Sequence, residues 1–276
     1  MKKVLFILVI LTGLVSATMS QTNFAEYETL SFDSEMEKAI WQSEKESPFS
    51  LFRAVQAEKS GSEDAWASLV NELDSKAAKN STDVNFLRHI FQKSSQRLFK
   101  KYEQHSTFNS MLSEGRFDCV SGSAALGMLL ERYGYSYDIV ETDYHVFIVV
   151  NMDGKEIVLE STLPVGGMIT APSEVEKYLD AYKPAEFVSA KAVSQRLAGP
   201  EIDYSDNSIF RKVSLTQLAG LQYYNDAIVH FNAQAFGQAV EQLSKAYLLY
   251  PSDRILGLRE LSVDLAYKTF GHELKK

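Results

Sequence analysis

FDCVSGSAALGMLLERYG, residues 117–134, runs directly into YSYDIVETDYHVFIVVNMDGKEIVLEST, residues 135–162. In the first stretch, Val120, Ala124, Gly127-Met128 and Glu131 recur at steps of three or four. That is the period of a helix, and its small residues let neighbours approach closely. Gly134 stands where a glycine ends a helix. The period then changes to that of strands, expected over 135–142, 144–150 and 156–161, with Asn151-Met152-Asp153-Gly154 as a hairpin turn. Residues 146–150 leave neither face polar, so that strand is expected to be covered on both sides. A helix followed by strands joined through short turns reads as an α+β fold, a helix packed on an antiparallel sheet.

Upstream, apolar residues at helical spacing predict helices over 35–43, 48–57 and 63–73, interrupted at Ser47-Pro48 and Ser60-Gly61-Ser62. A longer amphipathic helix follows Asp83 and runs to about Phe99, and residues 106–116 read as a connection. Downstream of the strands, residues 173–181 predict a helix. Residues 186–213 give no clear pattern, and Gly199-Pro200 with the polar run 203–208 marks a boundary or surface loop. Two helices are expected over 223–232 and 235–249, closed by Pro251, with residues 255–270 as a terminal helix. The expected organisation is therefore a main domain over 34–213 with helical segments before the core, and a helical unit over 214–276.

The N-terminus has the order of an export signal. Lys2 and Lys3 precede an apolar run over residues 4–14, and Val15, Ser16 and Ala17 put compact residues before a cut after Ala17. The run is shorter than the roughly 20 apolar residues of a bilayer span, so no stable membrane span is expected after cleavage. Residues 18–33 read as a polar lead-in, and the destination as periplasmic or secreted. Loss of Lys2 and Lys3 takes the formal charge from -8 two units further negative. An acidic chain without a Lys/Arg cluster is not built to bind nucleic acid. No calcium loop or paired-carboxylate motif is present, and no cofactor is expected.

Cys119 is the single cysteine. It can form neither an intramolecular disulfide nor a multi-cysteine zinc site, and an unpaired thiol in an exported chain is unusual. Two readings compete: a buried cysteine serving as a small hydrophobe, and a reactive thiol. Cys119 opens a helix directly after Asp118, a capping residue type, and helix-start N–H groups favour a thiolate. The adjacent carboxylate opposes this. Of the five histidines, His145 opens the apolar strand and is the expected base, while His89, His105, His230 and His272 are read as structural or surface residues. Glu160 lies near the end of the next strand. A four-residue loop over 151–154 would set His145 directly opposite Glu160. A two-residue Asp153-Gly154 turn would pair His145 with Thr162 and weaken the geometry.

Phe117-Asp118-Cys119-Val120-Ser121-Gly122-Ser123-Ala124, Tyr144-His145-Val146-Phe147-Ile148-Val149 and Ile157-Val158-Leu159-Glu160-Ser161-Thr162 together resemble the transglutaminase-like superfamily. The resemblance covers about residues 108–165. It implies a papain-like core with Cys119 as nucleophile, His145 as general base, and Glu160 in the position usually held by aspartate. It also implies cysteine-dependent acyl chemistry through a thioester on a peptide or protein substrate, with hydrolysis favoured over transfer to an amine. A side-chain oxyanion donor is expected upstream of the cysteine, from among Gln96, Gln104 and Asn109. Ala227, Phe236, Ala239, Leu243, Ala246 and Pro251 resemble a tetratricopeptide unit of about 34 residues. That pattern is broken at Asp226 and His230, and it implies a possible protein partner. The competing reading is an exported binding or scaffold protein that has kept a papain-like shell without its chemistry.

Overall fold

Helix follows helix from Glu35, and a computed structural model describes residues 30–44, 47–59, 61, 63–77, 83–163, 165–184 and 208–274. The expected export signal, all but the end of the polar lead-in, and the Gly199-Pro200 boundary lie outside the described residues. In chain order the elements are α1 (Glu35–Glu44), α2 (Pro48–Ala54), α3 (Asp64–Ala77), α4 (Val84–Arg97), β1 (Lys101–Tyr102), α5 (Phe108–Glu114), β2 (Arg116–Phe117), α6 (Cys119–Arg132), β3 (Ser136–Thr142), β4 (Val146–Met152), β5 (Lys155–Leu159), β6 (Met168–Ile169), α7 (Pro172–Tyr182), β7 (Phe210–Val213), α8 (Leu215–Asn232), α9 (Phe236–Leu249) and α10 (Asp253–Phe270). The result is a mixed α+β fold around a five-stranded antiparallel sheet in the order β6-β5-β4-β3-β7. Among the described residues no helix is long and apolar enough to cross a membrane.

Period-two alternation divides β4 between two cores. Phe147 and Val149 join Val140 and Val158 on one face, against Val175 and Leu179 of α7. Ile148 pairs with Ile139 on the other face, where Ile139 lies beside Gly127 of α6. Both faces of β4 are covered, which is why its residues read as one apolar run. Helix α8 packs on both α6 and α2. Buried amides fasten the outer helices to this centre. Gln222 accepts from Phe108 N and donates to Phe52 O, and Asn109 donates to the carbonyls of Arg53 and Val55.

Several elements differ from the sequence expectation for local reasons. Residues 106–116 contain a helix, α5, because Thr107 caps it by accepting from Ser110 N and Gly115 ends it at φ 74°. Helix α8 starts at Leu215, well before Tyr223, because Ser214 and Gln217 form a capping box. The hairpin turn is the two-residue one. Met152 pairs with Lys155, and Asp153 (φ 50°) and Gly154 (φ 74°) supply the two left-handed residues such a turn requires. Strands β1, β2, β6 and β7 are too short, at two to four residues, to carry a periodic signal.

The loop between β5 and β6 is closed by one glycine. Glu160 N donates to Gly167 O at 2.7 Å. A Cβ added at Gly167 would lie 2.2 Å from Leu163 O and 2.3 Å from Glu160 O, both backbone atoms that cannot swing away. Gly167→Ala is expected to cost about 2 kcal/mol or more in urea unfolding, as overpacking of fixed atoms does. Gly237→Ala, in the helix α9 with nothing within 4 Å, is the control and is expected to be neutral or slightly stabilising. Equal effects at the two glycines would refute this reading of the loop.

Candidate functional site

The candidate site grows from three local structures that the sequence specifies separately. Asp118 caps α6: its Oδ1 accepts from Ser121 N and Ser121 Oγ, each at 2.8 Å, and Ser121 Oγ accepts from Asp118 N. Cys119 is thereby fixed as the first residue of the helix. His145 is set by a tight connection between β3 and β4. There Thr142 N and Oγ1 donate to His145 O, and Thr142 Oγ1 accepts from His145 N at 3.1 Å. Glu160 follows β5 directly. The next residue, Ser161, packs on α6 at Gly122, where an added Cβ would meet Ser161 Oγ at 2.6 Å. That glycine lets the helix and the end of β5 touch.

His145 Nε2 and Glu160 Oε2 are 2.5 Å apart. The contact forms although the two-residue turn rules out direct opposition. Ile148 faces Leu159, so continuing the register sets Glu160 against Phe147 and His145 against Thr162. His145 and Glu160 are then diagonal neighbours on one face. Diagonal positions are about 7–8 Å apart, within reach of a long side chain. Glutamate closes that distance with one methylene more than aspartate has, which gives its presence here a geometric reason.

Glu160 is 1% exposed. Its Oε1 accepts from Thr162 N (2.8 Å) and Thr162 Oγ1 (2.6 Å), and its Oε2 also accepts from Tyr178. Burial would raise its carboxyl, but the hydrogen bond and charge of His145, followed by Thr162 and Tyr178, hold it below the usual carboxylate range. The His145 ring stacks on Tyr182 with centroids 5.6 Å apart. Tyr178 and Tyr182 are one helical turn apart on α7 and grip the histidine–glutamate pair from one side. In the sequence the one signal of this pair is its four-residue spacing beside an apolar stripe.

Cys119 and His145 line a common cavity of about 470 Å³. The two are not part of a compact cluster. Among the described residues, Cys119, His145 and Glu160 do not form a set whose donor atoms lie mutually within 4.8 Å. A row of thiol, imidazole and carboxylate is not such a set either, because the ring separates its two partners. Nε2 is the ring nitrogen engaged with Glu160.

The thiol is less acidic than its helix-start position suggests. Burial first, then the negative charge of Asp118, push it up to about 12, with Glu160 adding to the shift against backbone N–H donors. The helix end is outweighed by desolvation and two carboxylates. Of the three upstream amides, Gln104 lines the cavity. Asn109 is instead spent on the Arg53 segment, and Gln96 is exposed on α4. Tyr144, 92% exposed, stands at the cavity rim. His105 also lines the cavity, with a left-handed backbone at φ 62°. Leu221, Tyr224, Asn225 and Ile228 bring α8 into the wall, and Arg254 brings in α10.

Asp118 gives the site a pH signature. Burial raises its carboxyl from 3.8 to about 6, against the donors Ser121, Asn225 and Val120. The folded chain therefore holds this proton more tightly than the unfolded one. The stability this contributes is complete below 3.8 and is lost as pH rises through about 6. Asp118→Asn keeps an acceptor for the cap and removes the titration. Relative to wild type it is expected to gain on the order of 3 kcal/mol in urea unfolding between about pH 4 and about pH 8, and to make Cys119 more acidic. A stability difference that does not change with pH would contradict this.

Compared with known proteins, the chain matches no family model, no curated protein and no solved structure.

Proposed function

We propose that this chain is an exported cysteine-dependent acyl hydrolase, a peptidase or amidase, in which Cys119 is the nucleophile, His145 the general base and Glu160 the group that orients His145. The observation carrying the proposal is the 2.5 Å contact of His145 Nε2 with a buried carboxylate, with Cys119 on the wall of the same cavity. A carboxylate that fixes one ring nitrogen dictates the tautomer, with the proton on Nε2 and a lone pair on Nδ1.

With burial and the charge of Asp118 pushing the thiol up to about 12, Cys119 rests as a thiol and not as a thiolate. His145 Nδ1 takes the Cys119 proton as sulfur adds to the acyl carbon. The oxyanion that forms accepts from Cys119 N–H at the start of α6 and from the Gln104 side chain. Collapse breaks the bond to the leaving amine, which departs with the proton from His145 and leaves a thioester. Water then adds to the thioester, His145 takes its proton, and the carboxylic acid leaves as that proton returns to sulfur. An amine in place of water would make the same site a crosslinking transferase.

The C-terminal helices fit this reading as part of the substrate wall, since α8 and α10 both line the cavity. Their tetratricopeptide-like spacing, the papain-like architecture and the exported destination belong to the same proposal. The raised thiol favours one competing reading, a binding or scaffold protein whose cysteine is a packing residue.

Alkylation by iodoacetamide separates the two readings. Cys119 is expected to react at least tenfold more slowly in His145→Ala than in wild type, and a panel of acylated peptides to be cleaved by wild type but not by Cys119→Ala. Equal alkylation rates with no difference in cleavage would leave the scaffold reading standing. Products that appear only with an added amine would assign the transferase.

A further inference from the structure

Asp226 and His230 sit one turn apart on α8, on the same face of the helix. Asp33, just before α1, meets them there, and one donor atom from each of the three lies within 4.8 Å of the others. Asp226 is 1% exposed. Its Oδ1 accepts from Gln56 Nε2 at 2.6 Å, whereas its buried Oδ2 has no hydrogen-bond partner. His230 Nε2 is 3.5 Å from that oxygen. This is too long for a good hydrogen bond. It is close to the roughly 3.4 Å that separates two ligands of one tetrahedral zinc ion when each bond is about 2.0–2.1 Å.

Lys245, the nearby ammonium, is buried and engaged with Glu37. Asp33 and Asp226 bring two carboxylates to a single imidazole. Gln242 donates to Asp33 Oδ2, which helps to fix the third ligand.

We propose that Asp33, Asp226 and His230 bind one divalent transition-metal ion, of the zinc class, and so pin the segment before α1 to α8. One imidazole with two carboxylates suits zinc, whereas magnesium and calcium prefer oxygen-only sets. Water would complete the tetrahedron. The site is independent of the cysteine chemistry, and the test keeps the two apart.

The full chain, stripped with a chelator, would be titrated with zinc by calorimetry and with cobalt by visible absorption. Expected are one zinc ion per chain, tetrahedral cobalt bands, and a rise in melting temperature that magnesium does not reproduce. His230→Ala and the exposed Asp33→Asn are each expected to weaken binding at least tenfold, while Cys119→Ala, which removes the chain's only thiol, leaves it unchanged. The proposal is overturned if no zinc binds, if His230→Ala and Asp33→Asn bind as wild type does, or if binding disappears with Cys119→Ala.

Discussion

A carboxylate taken out of water must be surrounded by donors, and Glu160 imposes that requirement on everything around it. Burying an unpaired charge costs several kcal/mol, so each neighbour has to be held in place. Thr162 answers from the chain just beyond, Tyr178 from α7 and His145 from the start of β4. Those partners can converge only if the loop after Glu160 turns back sharply, which Gly167 permits. They also need α6 to lie against Ser161, which Gly122 permits. One buried carboxylate thus links the sheet, the helix bearing the lone cysteine and the helix on the opposite face.

A second buried carboxylate, Glu141, does the same for the C-terminal half. It is 0% exposed and pairs with Arg211 of β7, Arg254 of α10 and Tyr250. Arg254 also donates to Asp143 O, beside the turn that carries His145, and packs over the Tyr224 ring. Through these contacts the last three helices are fastened to the sheet next to the cavity they help to line. Around Cys119, burial first and then the negative charge of Asp118 and of Glu160 push the thiol up. In the proposed chemistry the proton must then move in step with attack, which makes the tautomer of His145 the decisive variable.

Much of this architecture is legible in the sequence, because its signals are local. The Asp118 cap, the small-residue face of α6, the doubly buried β4 and the glycine that ends α6 each declare themselves within a few residues. So do Cys119, His145 and Glu160, by residue type and position. What the sequence leaves open depends on distance across the fold. The hairpin register rests on whether Asp153 accepts a left-handed backbone, and local propensity does not decide that. The tyrosines of α7 gain a role only once packed on β4. Asp226 and His230 stand out as breaks in a repeat pattern, but their partner Asp33 lies nearly two hundred positions earlier. At Cys119, burial and the neighbouring Asp118 charge act against the helix-start N–H groups.

The central claim is that Glu160 fixes the proton of His145 on Nε2 and leaves Nδ1 open toward the cavity. Nitrogen-15 NMR of the His145 ring tests it most directly, at a pH where the ring carries one proton. The expected spectrum shows a protonated Nε2 with its proton shifted far downfield by the short bond, a bare Nδ1, and loss of the downfield signal in Glu160→Gln. A proton on Nδ1, or a spectrum unchanged by Glu160→Gln, would contradict the claim.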